Sequence, residues 1–328
     1  MKSDRTLLEE VSSYENLFQA FKECSKGKKS RAGYQKFIFN FAENLKEIEL
    51  EMMSRHKFKW GGYREFYVHD PKKRLVMAAP FRDRIVHTAI HRVIFPLIDK
   101  KLGSRTFACR YGMGNRNAVL KLRNQLRIMK KNRYCIKLDV KKYFESISHQ
   151  CLFEKFVAEL PDTSLNDLIK ELISSHPLYK EKGRGIPIGN LTSQLFANYY
   201  LSSVDREACE KLGINFFEDQ VDPLSFYIRY MDDMVILSDS KERATDVALH
   251  LVDYAKKELS LDIPSEKIVF LSNDPVPFLG FVLTEDDHRP LRRNERKFLK
   301  KLKRASQMGM PSSYKAQMIL SYESWQKI

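Results

Sequence analysis

Hydrophobic positions recur at helical spacing through the first fifty residues, with Leu17, Phe21, Tyr34, Phe37, Phe41 and Leu45 marking the apolar faces. This pattern predicts helices over residues 5–55. Residues 58–79 read as short strands with a turn at Asp70-Pro71, and residues 83–100 and 115–131 as helices. A short apolar strand, Cys135 to Asp139, leads into a helix that begins near Ser148. A loop punctuated by glycine follows, from Lys182 to Gly189, and then a helix over 190–212. Phe226 to Leu237 holds two runs rich in β-branched and aromatic residues around Tyr230-Met231-Asp232-Asp233, the pattern of a β-hairpin. Residues 241–260 predict an amphipathic helix with Val247, Leu251, Tyr254 and Ala255 on one face. Short strands end at Phe278-Leu279-Gly280, and the segment after Arg289 predicts helix. There is no internal repeat, low-complexity tract or Pro/Gly/Ser linker, so the chain reads as one α+β body.

The hairpin carries the most specific chemistry. Asp232 and Asp233 are adjacent in its turn, and crowding two like charges is costly unless a cation neutralises them. Asp-Asp pairs are common in surface turns, so the pair gains meaning only with a third carboxylate, which Asp139 offers at the end of its own strand. If that strand lies beside the hairpin, three carboxylates converge. Such a set suits two Mg²⁺ ions about 3.5–4 Å apart, with Mn²⁺ as an alternative, because Mg²⁺ takes oxygen ligands from carboxylates and substrate phosphates. This is the chemistry of nucleotidyl transfer.

Composition narrows the partners. The chain has 328 residues and a formal net charge of +15, which points to polyanions. No run of about 18 apolar residues exists for a spanning helix, and the first ten residues lack the apolar core of a signal peptide. Five cysteines (Cys24, Cys109, Cys135, Cys151, Cys209) are widely spaced without a CxxC pair, which fits a reduced, cytoplasmic protein without structural zinc. Between Lys100 and Lys142 there are 14 Lys or Arg and one acid, Asp139; between Arg289 and Arg304 there are nine against Glu295. A charge run is usually a solvated face, but two one-signed runs flanking the acidic cluster favour a phosphate-contacting groove. His87 and His91 stand four apart on a helix, but Thr88 occupies the place of the Glu in HExxH, so they read as structural or template-facing.

The ordered set of Arg74, Asp139, the Gly189 loop, Tyr230-Met231-Asp232-Asp233, Lys267 and Phe278-Leu279-Gly280 resembles the reverse transcriptases, over roughly residues 55–328. The resemblance implies a right-hand polymerase with an antiparallel palm sheet, a helical N-terminal segment over 1–55, fingers over 56–134, palm over 135–285 with finger–palm insertions around 160–185, and a helical thumb over 286–328. It implies Asp139 and Asp232 as principal metal ligands, Asp233 as the third catalytic carboxylate, and the backbone carbonyl of Val140 completing one coordination sphere. Phe144, five positions after Asp139, matches the steric gate that excludes a 2′-hydroxyl; the plain alternative is palm core. Arg74 matches the fingers arginine that clamps the triphosphate, with Lys73 either assisting or solvated. Lys267, in Pro264-Ser265-Glu266-Lys267, matches the lysine that protonates the leaving pyrophosphate, and a surface lysine is the equal alternative.

Gly185-Ile186-Pro187-Ile188-Gly189 followed by Ser193-Gln194 departs from many reverse transcriptases, which carry Gln before this glycine and Ser-Pro further on. With Ile188 and Gln194 the chain is similar to the enzymes of diversity-generating retroelements, as is the stretch from Arg74 to Arg110. That resemblance implies dNTP-binding roles for Ile188, Gly189 and Gln194, and a template-repeat RNA copied into cDNA with errors opposite adenine. It also implies an oligomeric, small, basic, helical accessory variability protein as partner. Ile188 can only pack where Gln could brace the base pair, and a site without polar bracing discriminates mispairs less; the plain alternative is a packed core residue. Two other readings stand beside this one. One is a bacterial reverse transcriptase of another lineage, group II intron-like or phage-defence, the former weakened by the end of the chain at residue 328. The other is a catalytically silent nucleic-acid binder, against which the three intact aspartates argue.

Overall fold

A computed structural model describes residues 5–54, 58–69, 73–130 and 133–327. In chain order the elements are α1 (Leu7–Ser12), α2 (Tyr14–Ser25), α3 (Ala32–Phe39), α4 (Phe41–Met53), β1 (Arg64–His69), β2 (Lys73–Ala78), α5 (Phe81–Asp99), α6 (Gly114–Met129) and β3 (Tyr134–Asp139). Then come α7 (Tyr143–Ser146), α8 (His149–Glu159), α9 (Thr163–Ile173), α10 (Pro177–Lys182), α11 (Leu191–Tyr200) and α12 (Ser202–Leu212). The remainder is β4 (Ser225–Tyr230), β5 (Asp233–Ser238), α13 (Lys241–Leu259), a 3₁₀ turn (Ser265–Lys267), β6 (Val269–Ser272), β7 (Val276–Phe278), β8 (Phe281–Leu283), β9 (His288–Pro290), α14 (Arg292–Gln307) and α15 (Ser312–Gln326). These elements form two compact units.

The first unit comprises residues 1–103, 140–204 and 253–262. Its centre is α5, which packs against α1, α2, α3 and α11 and buries Ile85, Val86, Ala89, Ile90 and Ile94. The N-terminal helices start where the sequence supplies caps. Thr6 and Glu9 form a reciprocal capping box on α1, and Ser13 caps α2. Asp162 caps α9 through one carboxylate oxygen and accepts from Leu8 N (2.9 Å) through the other, tying α1 to α9. The predicted helical stretch 5–55 is thus four helices, because caps and bends interrupt the apolar periodicity. β1, exposed throughout, pairs antiparallel with the partly buried β2 from Arg64↔Ala78 to His69↔Lys73; the turn expected at Asp70-Pro71 lies outside the described residues. The region around 160–185 holds α9 and α10.

The second unit comprises residues 104–139, 205–252 and 263–328. A four-stranded antiparallel sheet runs in the order β4-β5-β3-β6. Cys135, Phe226, Ile228, Val235 and Leu237 from this sheet share a core with Ala118, Val119, Leu122 and Leu126 of α6 and with Phe278, Phe281 and Leu283 of the small sheet β7-β8-β9. Gly280 has φ 91°, and a Cβ there would stand 2.8 Å from Asn294 Nδ2 and 3.3 Å from the Trp325 ring, so only glycine lets α14 and α15 close on this sheet. The stretch 190–212, predicted as one helix, is two: α11 ends at Tyr200, and the N–H of the following Leu201 turns back to Tyr199 O.

Candidate active site

In the second unit, β3 and β5 are direct neighbours, and Asp139 stands opposite Asp233 in the register. Period-2 alternation places cross-strand partners on the same face of a sheet. β4 and β5 are joined through Met231 and Asp232, with Tyr230 paired to Asp233. Met231 holds φ 54°, a left-handed conformation that a non-glycine residue adopts at a cost. Side chains at this turn are half-buried.

The charges there are arranged in pairs. Lys267, in the 3₁₀ turn before β6, donates from Nζ to Asp139 Oδ2. Lys137, two positions before Asp139 on β3, lies with Nζ 3.2 Å from Asp233 Oδ1 and donates to Pro277 O at 2.6 Å. No ion pair to Asp232 is seen among the described residues. Burial first, and then the Asp139 charge, raises the Asp232 carboxyl to about 7. Burial also raises Asp233, opposed by Lys137. Among the described residues no three His, Cys, Asp or Glu side chains form a ready metal cage. Asp139 and Asp233 face each other across the strands and each is held by a lysine, which offsets the crowding of like charges. An all-oxygen donor set with one carboxylate driven toward its neutral form suits a hard cation such as Mg²⁺.

In the first unit, the Gly189 loop lies against β2. Met77 N donates to Ile188 O at 2.8 Å, and Gly189 has φ 123°. A Cβ at Gly189 would stand 3.1 Å from Val76 Cγ1 and 3.3 Å from Met77 O, so the close approach requires glycine. Ile186 N donates to Phe144 O at 2.9 Å, which puts Phe144 beside the same loop. Phe144 and Ile188 are half-buried, Gly189 is exposed, and Val140 is buried. Lys73 and Arg74 are exposed at the start of β2, with Lys73 Nζ 4.0 Å from the centre of the Tyr67 ring. Gln194 is exposed on the first turn of α11. β2, Phe144, Ile188 and Gly189 are therefore brought together, and Asp139, Asp232, Asp233 and Lys267 are brought together.

His87 is buried, with Nδ1 2.7 Å from Thr192 Oγ1 and its ring against Trp60; burial lowers it to about 3. His91 stacks on Phe95, and burial lowers it to about 4.

Sequence reasoning missed Asp205 and Arg229. Arg229 is wholly buried in β4 and pairs with Asp205 by two hydrogen bonds of 2.6 Å. The signal was present: a guanidinium inside an otherwise apolar and aromatic strand demands a buried partner.

Residues 69–283 match the family model described as reverse transcriptase (RNA-dependent DNA polymerase). The chain belongs to this reverse transcriptase family. It is 27% identical over 157 residues to the putative COX1/OXI3 intron 1 protein of Saccharomyces cerevisiae, covering 45% of this chain and 18% of that protein. It is 27% identical over 188 residues to the retron Ec73 reverse transcriptase of Escherichia coli, covering 55% of this chain and 57% of that one. The chain thus spans less than two thirds of either relative. Among solved structures, apo telomerase from Candida tropicalis superposes with TM-score 0.51 at 12% identity, covering 72% of this reverse transcriptase chain and 50% of that one. Telomerase from Candida albicans in complex with a telomeric RNA fragment gives TM-score 0.52 at 11% identity, with 72% and 46% covered. At such identities the likeness shows the fold, which is the α+β right-hand polymerase expected from the sequence.

The second basic run is displayed, whereas Arg105 and Arg133 of the first are buried. On α14, Arg292, Arg293, Arg296, Lys300, Lys301, Lys303 and Arg304 are exposed. Among the described residues no helix is long and apolar enough to cross a membrane.

Proposed function

We propose that this chain is an RNA-directed DNA polymerase that copies a template-repeat RNA into cDNA with frequent errors opposite adenine. The observation that carries the polymerase reading is the nearness of Asp139 and Asp232, backed by Asp233, where burial and the Asp139 charge raise the Asp232 carboxyl. A binder of polyanions gains nothing from clustered acids, whereas a nucleotidyltransferase needs them. When bound, two Mg²⁺ ions would neutralise these carboxylates, make the primer hydroxyl a better nucleophile and stabilise the leaving pyrophosphate. Asp139, Asp232, Asp233 and the carbonyl of Val140 would hold them. Lys267, already beside Asp139, has the ammonium to protonate the leaving pyrophosphate. Arg74 offers the triphosphate a fixed, permanently charged fork, assisted by Lys73. Phe144 would bar the 2′-hydroxyl, while Ile188, Gly189 and Gln194 would line the nascent base pair.

The error-prone assignment is supported by Ile188 and by Ser193-Gln194, the two departures in the Gly189 loop. Template RNA, a primer, dNTPs and a small basic helical accessory protein are the proposed partners. The domain bounds proposed are fingers over 56–134, palm over 135–285 and thumb over 286–328, after a helical segment over 1–55. A group II intron-like or retron-like enzyme is the second reading, favoured by the named relatives. Primer extension on an adenine-containing RNA template with Mg²⁺ and dNTPs, with the cDNA sequenced beside an Asp232→Ala control, separates them. Errors concentrated at template adenines support the mutagenic reading, accurate synthesis supports the second, and synthesis insensitive to Asp232→Ala refutes the site.

A further inference from the structure

Arg229 is a wholly buried guanidinium whose nitrogens are committed in two directions. Nε and Nη2 each donate at 2.6 Å to the two oxygens of Asp205. The Asp205 carboxylate also accepts from Tyr227 Oη and from Thr106 Oγ1, both at 2.7 Å. The third nitrogen, Nη1, reaches two residues forward and donates to Met231 O at 2.9 Å. That carbonyl shares a peptide plane with the N–H of Asp232. The Arg229 main chain is itself fixed from the edge of the sheet: its N–H donates to Arg105 O and its carbonyl accepts from Phe107 N, both at 3.0 Å. The strained Met231 turn is therefore tied, through one side chain, to a fully satisfied buried ion pair.

We propose that the Asp205–Arg229 pair is a positioning device that fixes the Met231–Asp232 peptide and so sets where the Asp232 carboxylate sits. This rests on the reading of Asp232 as a polymerase carboxylate. An ion pair present only for stability could be exchanged for apolar side chains at little cost. A lysine in place of Arg229 could neutralise Asp205 but has no second arm for the turn.

The test compares wild type with the paired swap Arg229→Met/Asp205→Leu, with Arg229→Lys and with Thr106→Val. Two readouts are taken: amide hydrogen exchange across residues 230–234, and kcat and dNTP KM in primer extension. The paired swap leaves no buried charge unmatched but takes the acceptor from the buried Tyr227 and Thr106 hydroxyls, so its melting temperature is expected to fall modestly. Its turn amides should exchange faster and kcat fall about 100-fold, the size of effect that a misplacement of roughly 1 Å produces, with dNTP KM unchanged. Arg229→Lys should lose kcat in the same way. Thr106→Val leaves the Met231 bond intact and should retain wild-type kcat. Wild-type turn exchange in the paired swap overturns the inference, as does a kcat that falls only in step with melting temperature across all variants. The exchange readout decides the inference without polymerisation, whereas a wild-type protein that extends no primer even with the accessory protein and template RNA added refutes the polymerase reading alone.

Discussion

Lys267 donates from Nζ to Asp139 Oδ2, so the carboxylate that ends β3 already has a cation beside it. Both side chains keep about a third of their surface (28% and 36%), and such partly exposed pairs contribute little to stability. Lys267→Met is therefore expected to leave the melting temperature near wild type. If Lys267 protonates the leaving pyrophosphate, kcat falls about 100-fold, within the usual worth of a positioned proton donor. Thermal melting and steady-state primer extension measure the two, and an unchanged kcat returns Lys267 to an ordinary surface lysine.

Gly189→Ala tests the close approach of the Gly189 loop to β2. The new Cβ would press on Val76 Cγ1 and Met77 O, and a φ of 123° suits glycine alone. A loss of about 1–3 kcal/mol in unfolding free energy is expected, with a higher dNTP KM and a smaller change in kcat. Urea denaturation and dNTP titration check the two parts. Wild-type KM would separate the loop from nucleotide binding.

The histidines give the fold a pH dependence of definite sign. His87 is lowered to about 3 and His91 to about 4 by burial, and Arg84 adds repulsion at His87. His87 otherwise faces Thr192 and Trp60, neither of which titrates in this range, and its Nε2 is buried without a hydrogen-bond partner. A base whose folded pKa is depressed binds its proton more readily when unfolded. Stability is then full above the unfolded pKa of about 6.5 and is lost as pH falls from there toward 4 and 3. His87→Gln should flatten part of that slope, measured by denaturant unfolding at pH 7.5 and pH 5. A slope unchanged by both His87→Gln and His91→Gln would assign the acid lability elsewhere.

What was legible in the sequence was local. The β4–β5 hairpin depends on alternation and a two-residue turn, both contiguous in the chain, and the Asp139 strand depends on five neighbouring residues. The pairing of β3 with β5 sets Asp139 opposite Asp233. The break at Leu201 was hidden because neither Gly nor Pro marks it and apolar residues continue on both sides. The Asp205–Arg229 pair was hidden because its members are 24 positions apart and Asp205 sits in a helix that reads as amphipathic. The lysine partner of Asp233 was also unreadable, since Lys137 looks like any strand lysine until the register sets it diagonal to Asp233.

The exposed cations of α14 predict a salt-sensitive grip on nucleic acid. Each phosphate contact contributes a slope of about 0.7–0.9 in log K against log salt. Arg293→Ala with Arg296→Ala should lower affinity for a primer–template duplex and reduce that slope by about one to two, equally for unrelated sequences. Fluorescence anisotropy at several salt concentrations measures it. An unchanged slope would make this helix a solvated face.

Ile188 carries the error-prone reading, and its geometry makes the exchange clean. Its carbonyl, not its side chain, accepts from Met77 N, so Ile188→Gln keeps the loop on β2 while adding a polar group to a half-buried position. If fidelity is lost through missing polar bracing, the variant should lower misincorporation opposite adenine about fivefold, the worth of one net hydrogen bond of about 1 kcal/mol. Errors opposite the other three bases should change less, because the bracing acts on a discrimination that already succeeds there. Sequencing of cDNA made from one template by both proteins reads this directly. An unchanged spectrum, with normal synthesis, would leave Ile188 as a packing residue and move the source of any infidelity away from the Gly189 loop.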